Sequence, residues 1–306
     1  MSCYPPLSKI SSKGKSKMKS SYLLNYWSAW RLIVVCLVSA VIVTGCGQSA
    51  GDGSIAGVGT GGTGSFTTSI SGKVADGYLA NATVFLDKNG NYQLTAGEPS
   101  TATDANGAYK LDIDPADVGR YPIVALVLQG VTIDKDTNQP VTNSYVLSMP
   151  KENVNGTVSN NFISPISSQL REMMETGKYT SMQQASDALN TSMGLPSGTN
   201  TMADYIATNN TAMHTVAQNM ATLMGNQMGQ ILGTGGSTMT VDVNRYRSMM
   251  GTIYSNMTTV TGTNPQTGMM VLNSTMTTML SSMPQTLVGQ PYRNMSSAYR
   301  GMMGGR

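Results

Sequence analysis

The periodicity of apolar residues changes near residue 150, and this change divides the chain into two kinds of structure. Before it, short runs alternate apolar and polar side chains, as in GAYKLDI, where Tyr109, Leu111 and Ile113 share one face. After it, apolar residues recur every three or four positions, which is the period of a helix. Methionine follows the same division, because 22 of the 24 Met residues lie at or after Met149. We therefore predict strands followed by helices.

The first half contains several short strand-like runs separated by turn residues. An Asn-Gly pair at Asn106 and Gly107 is a hairpin turn signal that directly precedes one of these runs. Short antiparallel strands at such close spacing are typical of a β-sandwich, which we predict over residues 66–150. The predicted strands cover residues 70–74, 82–87, 107–113, 121–128 and 143–149.

In the second half, the spacing of apolar residues predicts a Met-rich all-α helical domain over residues 164–306, after a polar linker at 151–163. Ser164 followed by Pro165 is a helix-start signal. The fold class is thus multidomain, an antiparallel β-sandwich followed by a helical domain. The five expected apolar stripes are Ile166, Leu170, Met173 and Met174; Met182, Ala185 and Leu189, ending at Gly194; a third within residues 202–232; Met239, Val243, Tyr246, Met250, Ile253, Met257 and Val260; and Met269, Leu272, Met276, Met279 and Met283.

The N-terminus has the layout of an export signal. Six basic residues precede or begin an apolar run, LIVVCLVSAVIV at residues 32–43, which is shorter than the roughly 20 residues that span a bilayer. The next residues, VTGC, resemble the bacterial lipobox, which implies cleavage before Cys46 and lipid attachment to its sulfur. We predict a signal peptide at 1–45 and a Gly/Ser-rich tether at 46–65. Gly47 after the cysteine implies sorting to the outer membrane.

Charge and cysteine content exclude some classes of protein. Removing the six basic residues before Cys46 from the chain's nineteen leaves thirteen against sixteen acidic residues, a net charge of −3. This mildly acidic chain has no basic cluster of the kind that binds nucleic acid. Cys3 and Cys36 lie in the predicted signal peptide, so the mature protein has one cysteine and no internal disulfide.

Residues 69–111 carry a motif order found in a known family. A DG turn at Asp76 and Gly77 is followed by VFLD, by GEP and then by TDANGAY, which ends at Tyr109. This order resembles the B-type repeat domains of bacterial surface proteins and the related prealbumin-like or carboxypeptidase-regulatory-like sandwiches. The resemblance implies a structural or adhesive module and not a catalyst.

The stretch DKNGNYQLTAGE has oxygen-bearing side chains at the spacing of a calcium loop. Calcium prefers oxygen ligands, and the resemblance implies that such loops bind it. Tyr92 stands at the sixth position, where Gly permits a sharp turn, and only two ligands are acidic, which predicts weak binding. The alternative is a polar turn between two strands. The predicted ligands are Asp87, Asn89, Asn91, the carbonyl of Gln93, Thr95 and Glu98.

The abundance of methionine has two interpretations. Met can replace Leu as the core hydrophobe, since its flexible side chain fills irregular gaps. Alternatively, thioethers are soft ligands for copper(I), and a copper store would use residues of the third helix. The candidate copper ligands are Met213, His214, Met220, Met224 and Met228.

No pattern of nucleophile and base, phosphate loop or zinc spacing points to an enzyme. We therefore predict a non-enzymatic, lipid-anchored cell-envelope protein. It has a weak calcium loop in a sandwich and a helical domain that contacts a protein partner or a second copy. The alternatives are a copper(I)-binding lipoprotein and a self-assembling envelope scaffold.

Overall fold

The change of periodicity corresponds to a change from strands to helices in the computed structural model of this chain. The structure describes residues 67–155, 161–232, 240–262 and 266–284, all within one compact unit, Gly61–Arg306. The strands are β1 (Thr68–Val74), β2 (Leu79–Ala80), β3 (Thr83–Leu86), β4 (Ser100–Ala102), β5 (Ala108–Ile113), β6 (Ile123–Val127), β7 (Ile133–Asp134), β8 (Gln139–Pro140), β9 (Tyr145–Met149) and β10 (Phe162–Ile163). The helices are α1 (Pro165–Glu175), α2 (Met182–Met193), α3 (Thr211–Ile231), α4 (Val243–Ser255), α5 (Met257–Val260) and α6 (Gln266–Ser282).

The strands form three sheets. The largest has the order β4-β3-β6-β9 and is antiparallel throughout. The second has the order β10-β1-β5, in which β5 is antiparallel to β1 and the short β10 is parallel to it. A small antiparallel sheet has the order β2-β7-β8. All five predicted strands are confirmed.

Burial along the strands shows which faces are covered. In β5, Tyr109, Leu111 and Ile113 are buried while Lys110 and Asp112 are exposed, so one face of the strand points to the core. All five residues of β9 are buried, because α1 packs against this strand. At its edge strand β9, the four-stranded sheet is therefore covered on both faces, and α1 covers one of them.

The first helix begins where the sequence predicts. Ser164 accepts a hydrogen bond from the Ser167 N–H, and the Ser167 hydroxyl bonds back to the Ser164 N–H, which completes a capping box. The Ser167 hydroxyl also donates to the carbonyl of Ser148 in β9 over 2.6 Å. Local capping and attachment to the sheet thus use the same side chain.

The predicted start of the third helix near Met202 is wrong. The helix begins at Thr211, with Asn210 as its cap. The preceding residues form turns, because the Asp204 carboxylate accepts hydrogen bonds from the Ile206 and Ala207 N–H groups. These side-chain bonds compete with helical backbone bonds, which explains why the apolar pattern does not extend the helix.

The predicted fourth helix is two helices, α4 and α5, separated at Asn256. The Asn256 side chain donates to the carbonyl of Thr252, so it caps the end of α4. The apolar stripe continues across the break, and its described members are buried or half-buried; Met239 lies outside the described residues. The buried residues of the stripe are Tyr246, Met250, Ile253, Met257 and Val260.

One continuous core contains the inward side chains of the sheets and of the helices. Methionines form much of its helical part, including Met173, Met220, Met224 and Met250, each of which is fully buried. This burial matches the interpretation of Met as the core hydrophobe.

Truncation of a core methionine should therefore destabilise the whole unit. We expect Met224→Ala to lower the free energy of unfolding by about 2–5 kcal/mol, because the lost side chain leaves a cavity. Met270 on α6 is 71% exposed, and we expect Met270→Ala to change it by less than about 0.5 kcal/mol. Urea unfolding of the full chain in detergent, followed by circular dichroism, measures both. Equal losses in the two variants would contradict a Met-filled core.

Candidate functional site: the loop from Asp87 to Glu98 and its helical anchor

The predicted calcium loop joins β3 to β4 and is held together by its own side chains. Asp87 is buried, and its Oδ1 accepts a hydrogen bond from the Asn91 N–H over 3.1 Å. Its Oδ2 accepts one from the Tyr92 N–H over 3.3 Å. Asp87, at the first position of the loop, thus fixes the backbone of the fifth and sixth positions by hydrogen bonds.

The middle of the loop follows the same pattern. Asn89 Oδ1 accepts from the Asn91 N–H over 3.1 Å, and Asn91 Oδ1 accepts from the Gln93 N–H over 2.8 Å. The Thr95 hydroxyl oxygen accepts from the Asn89 side-chain amide over 3.0 Å. The Asn89 and Asn91 oxygens thus form turns in which a short polar side chain bonds to the backbone two residues on.

Glu98 closes the loop. Its Oε1 accepts from the Lys88 N–H over 2.9 Å, and its Oε2 accepts from the Thr95 N–H over 2.7 Å. All six predicted ligand residues therefore belong to one hydrogen-bonded loop, with Gln93 contributing its carbonyl, 3.4 Å from the Thr95 hydroxyl.

Arg171 of α1 supplies a positive charge to this loop. Its Nη2 lies 3.0 Å from Asp87 Oδ2, and its Nε lies 2.8 Å from Glu175 Oε1. The Arg171 side chain is 1% exposed and that of Asp87 is fully buried. Its Nη1 has no hydrogen-bond partner among the described residues. The guanidinium carbon lies 3.9 Å from the centre of the Tyr92 ring, within range of a cation–π interaction.

Tyr92 explains why the sixth position of the loop is not glycine. Its φ is 61°, a left-handed conformation that costs a residue with a side chain about 1–2 kcal/mol. The side chain is fully buried, its hydroxyl donates to Glu172, and its ring lies 4.7 Å from that of Tyr246 in α4. Burial of a large aromatic ring offsets the conformational cost. Tyr92 is thus the anchor of the loop on the helices.

Glu172 and Arg247 extend the anchor from α1 to α4. Arg247 Nε lies 3.4 Å from Glu172 Oε2, and Arg247 also forms an ion pair with Glu175. Burial and the neighbouring Glu175 charge together raise the pKa of Glu172 to about 7, although the two arginines and the Tyr92 hydroxyl lower it in part. We call Asp87, Tyr92, Arg171, Glu172, Glu175 and Arg247 the anchor cluster.

The sequence analysis does not identify Tyr92, Arg171 or Arg247 as site residues. The sequence does contain one signal for a buried arginine, since Arg171 and Glu172 stand between Leu170 and Met173 in the apolar stripe of α1. Charged residues are rarely buried unless they are paired. The partner of Arg171, however, lies more than eighty positions away, at Asp87.

The loop offers oxygen ligands of the kind that calcium prefers, but the negative charge of these ligands is low. The set has two acidic ligands, Asp87 and Glu98. Arg171 already neutralises the charge of Asp87, so Glu98 is the acidic ligand whose charge Arg171 leaves free for calcium. Within the described ranges, no group of three or more His, Cys, Asp or Glu side chains is arranged to hold a metal ion. The loop therefore offers calcium a reduced ligand charge, which weakens binding.

A cavity of about 260 Å³ lies beside the anchor cluster. Arg171 and Glu175 contribute to its wall, and both are already engaged in ion pairs. The full lining is Pro122, Pro150, Lys151, Glu152, Arg171, Met174 and Glu175, without a Ser, Cys or His side chain.

The candidate copper ligands fall into two environments. Met213, Met220, Met224 and Met228 are buried in the core. His214 instead bonds through Nε2 to Asp136 Oδ2 over 2.7 Å, and its ring stacks on Tyr205 with 5.7 Å between centres.

The predicted lipid site, Cys46, lies outside the described residues, as does the apolar run at 32–43. Among the helices that the structure describes, none is long and apolar enough to cross a membrane. The chain matches no protein-family model, and neither the curated proteins nor the solved structures contain a significant match to it.

The anchor cluster should contribute more stability than an exposed ion pair. We expect Arg171→Met to cost about 3–5 kcal/mol of unfolding free energy, because it leaves Asp87 buried without a counter-charge. The double variant Asp87→Asn/Arg171→Met should lose less than the sum of the two single variants. Urea unfolding of the full chain measures this double-mutant cycle.

The matched control is Lys88→Met, which removes the more exposed Lys88–Asp117 ion pair of 2.6 Å. We expect it to cost less than about 1 kcal/mol. Additive single variants in the cycle, or a loss for Lys88→Met as large as for Arg171→Met, would contradict the anchoring role.

Proposed function

We propose that this chain is a non-enzymatic, lipid-anchored structural or binding protein of the bacterial cell envelope, attached through Cys46 and sorted to the outer membrane. One observation carries the proposal beyond the sequence. The buried charged groups of the anchor cluster bond to one another and to the loop, so they serve to hold a β-loop on two helices. Such an arrangement suits a rigid module that presents surfaces.

We also propose the finer architecture, a β-sandwich followed by a Met-rich helical domain. The β4-β3-β6-β9 sheet and the β10-β1-β5 sheet both contribute inward apolar side chains to the core, which is what a sandwich requires. The helices continue the same core, and the Tyr246 hydroxyl donates to the carbonyl of Val146 in β9 over 3.0 Å. The proposed role of the helical part is to extend the module and contact other proteins.

In this proposal the loop binds calcium weakly, through Asp87, Asn89, Asn91, Gln93, Thr95 and Glu98. Arg171 competes with calcium for Asp87, so we place the affinity in the extracellular range of roughly 10⁻⁴–10⁻³ M. Support comes from the convergence of the six residues in one closed loop. Calcium would reinforce a clamp that the arginine already provides.

Of the two alternatives, self-assembly has one structural observation in its favour. Met270 and Val271 are neighbours on α6 and are 71% and 62% exposed, so they place two large apolar side chains side by side at the surface. Copper(I) binding is less favoured, because the candidate Met side chains of α3 fill the core.

Lipid attachment is tested by labelling. We expect the full chain, expressed in a diderm bacterium fed an alkyne fatty acid, to carry the label and to sediment with outer membranes. Cys46→Ser should lose the label, because the acylated sulfur is gone, while the matched variant Cys36→Ser should keep it. Labelling of Cys46→Ser at the level of the parent would overturn the anchor.

Calcium binding is tested by thermal unfolding of the full chain in detergent, with calcium or magnesium from zero to several millimolar. Ten times the dissociation constant should stabilise the folded state by about 1.4 kcal/mol, or about 3–5 °C in melting temperature. Glu98→Gln should remove the effect, and Glu152→Gln, outside the loop, should keep it.

Arg171→Met sharpens the calcium test. Although less stable, this variant should respond to calcium more strongly than the parent, because Asp87 has no competing cation. Identical melts with and without calcium in the parent and in Arg171→Met would show that DKNGNYQLTAGE is a structural turn.

A further inference from the structure

A second junction between sheets and helices contains three aspartates that the proposed function does not use. Asp76 lies in the turn between β1 and β2, and its Oδ2 accepts a hydrogen bond from the Tyr145 hydroxyl over 2.7 Å. Its Oδ1 is buried and has no hydrogen-bond partner within the part of the chain that the structure describes. A buried carboxylate oxygen without a donor is unfavourable in the ionised form.

Two more carboxylates approach from the hairpin of β7 and β8. A side chain at Gly77 would place its Cβ 2.6 Å from Asp134 Oδ1 and 2.5 Å from Asp136 Cγ, so only glycine permits this approach. Asp134 Oδ1 accepts from the Asp136 N–H over 2.9 Å, and its Oδ2 accepts from the Thr137 hydroxyl over 3.1 Å. The hairpin carboxylates thus have donors of their own.

The helical side completes the surroundings of Asp76. His214 and Gln218 of α3 both bond to Asp136 Oδ2, over 2.7 and 2.8 Å. The Tyr205 hydroxyl donates to the carbonyls of Ala75 and Asp76 over 2.9 and 3.3 Å. The imidazole therefore bonds to Asp136, and the described side chains that donate to the Asp76 carboxylate and carbonyl are the neutral hydroxyls of Tyr145 and Tyr205.

The electrostatics agree with this geometry. Burial and the charges of Asp134 and Asp136 together raise the pKa of Asp76 to about 7, although hydrogen bonds from the Tyr145 hydroxyl and from the backbone of Asp76 itself lower it in part. Burial also raises the pKa values of Tyr145 and Tyr205 well above their ordinary range, so both remain hydroxyl donors.

We propose that Asp76 is a proton-operated latch that holds the Asp76–Gly77 turn, the β7–β8 hairpin and α3 together when its carboxyl is protonated, and loosens them when it is ionised. Ionisation adds a third negative charge beside Asp134 and Asp136 and leaves Oδ1 charged without a side-chain donor among the described residues. This inference does not depend on the lipid anchor or on calcium. It would let a protein exposed to external pH change the fit between its sheets and α3.

The sign of the pH dependence follows from proton linkage. The folded state holds the Asp76 proton up to pH about 7, whereas the unfolded chain releases it near the ordinary value of 3.8. Folding therefore binds a proton between these values, and the contribution to stability falls as the pH rises through this window.

Hydrogen exchange of the full chain in detergent, read by mass spectrometry at pH 5.5 and 7.5, tests the latch. After correction for intrinsic exchange rates, we expect protection of residues 133–140 and of the first turns of α3 to fall on the order of tenfold at the higher pH. Peptides from β3 and β6 serve as the internal reference and should change less.

Asp76→Asn should remove this pH dependence, because the amide keeps an acceptor for Tyr145 and has no charge to gain. Asp112→Asn, at an exposed position of β5, is the matched control and should behave as the parent. Glu172→Gln removes the buried carboxyl of the anchor cluster and should leave the hairpin response unchanged. The same tenfold change in Asp76→Asn, or no change in the parent, would overturn the latch.

A direct titration keeps the proposal testable if Asp76→Asn does not fold. Aspartate carboxyl carbons of the parent chain, followed by ¹³C NMR, should include one signal with a midpoint near neutral pH. Titration of every aspartate in the ordinary acidic range would overturn the proposal.

Discussion

Asp87 follows a strand and Arg171 lies in the first helix, and the two meet in the interior, where neither side chain is exposed to water. Removing two charges from water is costly, and their attraction repays that cost only when the remaining polar atoms are also satisfied. Here the Asp87 oxygens also accept two backbone N–H groups of the loop, and Arg171 also binds Glu175 and faces the Tyr92 ring. The shape of the loop and the position of α1 are therefore interdependent.

This dependence gives the polar interior a role that the apolar core cannot fill. Methionine side chains are flexible and pack in many ways, so a core rich in Met specifies helix positions poorly. Ion pairs and the hydrogen bonds of hydroxyl groups, in contrast, have preferred geometries. We interpret the anchor cluster, together with the Tyr246 bond to Val146, as the contacts that set one alignment of α1 and α4 against the sheets.

The anchor cluster and the Asp76 junction surround their buried carboxyl groups with different partners. In the anchor cluster, two arginines stand beside three carboxylates, and a tyrosine donates to the most buried glutamate. At the Asp76 junction, three aspartates share hydroxyls, amides and one imidazole, and no arginine or lysine side chain bonds to Asp76 among the described residues. In the anchor cluster the arginine charges lower the pKa of Glu172 against the effect of burial, whereas at the Asp76 junction the charges of Asp134 and Asp136 add to the effect of burial on the pKa of Asp76.

Much of the fold can be predicted from the sequence, and the reason is local. Alternation over residues 107–113, the Ser164 and Pro165 cap and the four-three spacing from Tyr246 to Val260 each act through neighbours in the chain, so the pattern predicts the element. The start of α3 and the break at Asn256 are missed, because side-chain bonds of Asp204 and Asn256 override the apolar period.

The candidate site divides in the same way. The polar spacing of Asp87 to Glu98 predicts one closed loop, since its bonds join residues close in sequence. The partners of that loop, Arg171, Glu172 and Tyr246, are far away in the chain, and so are the partners of Asp76. Their meeting depends on how the sheets and helices pack. Burial in that packing raises the pKa values of Asp76 and Glu172 to about 7 and keeps Tyr145 as a neutral hydroxyl donor.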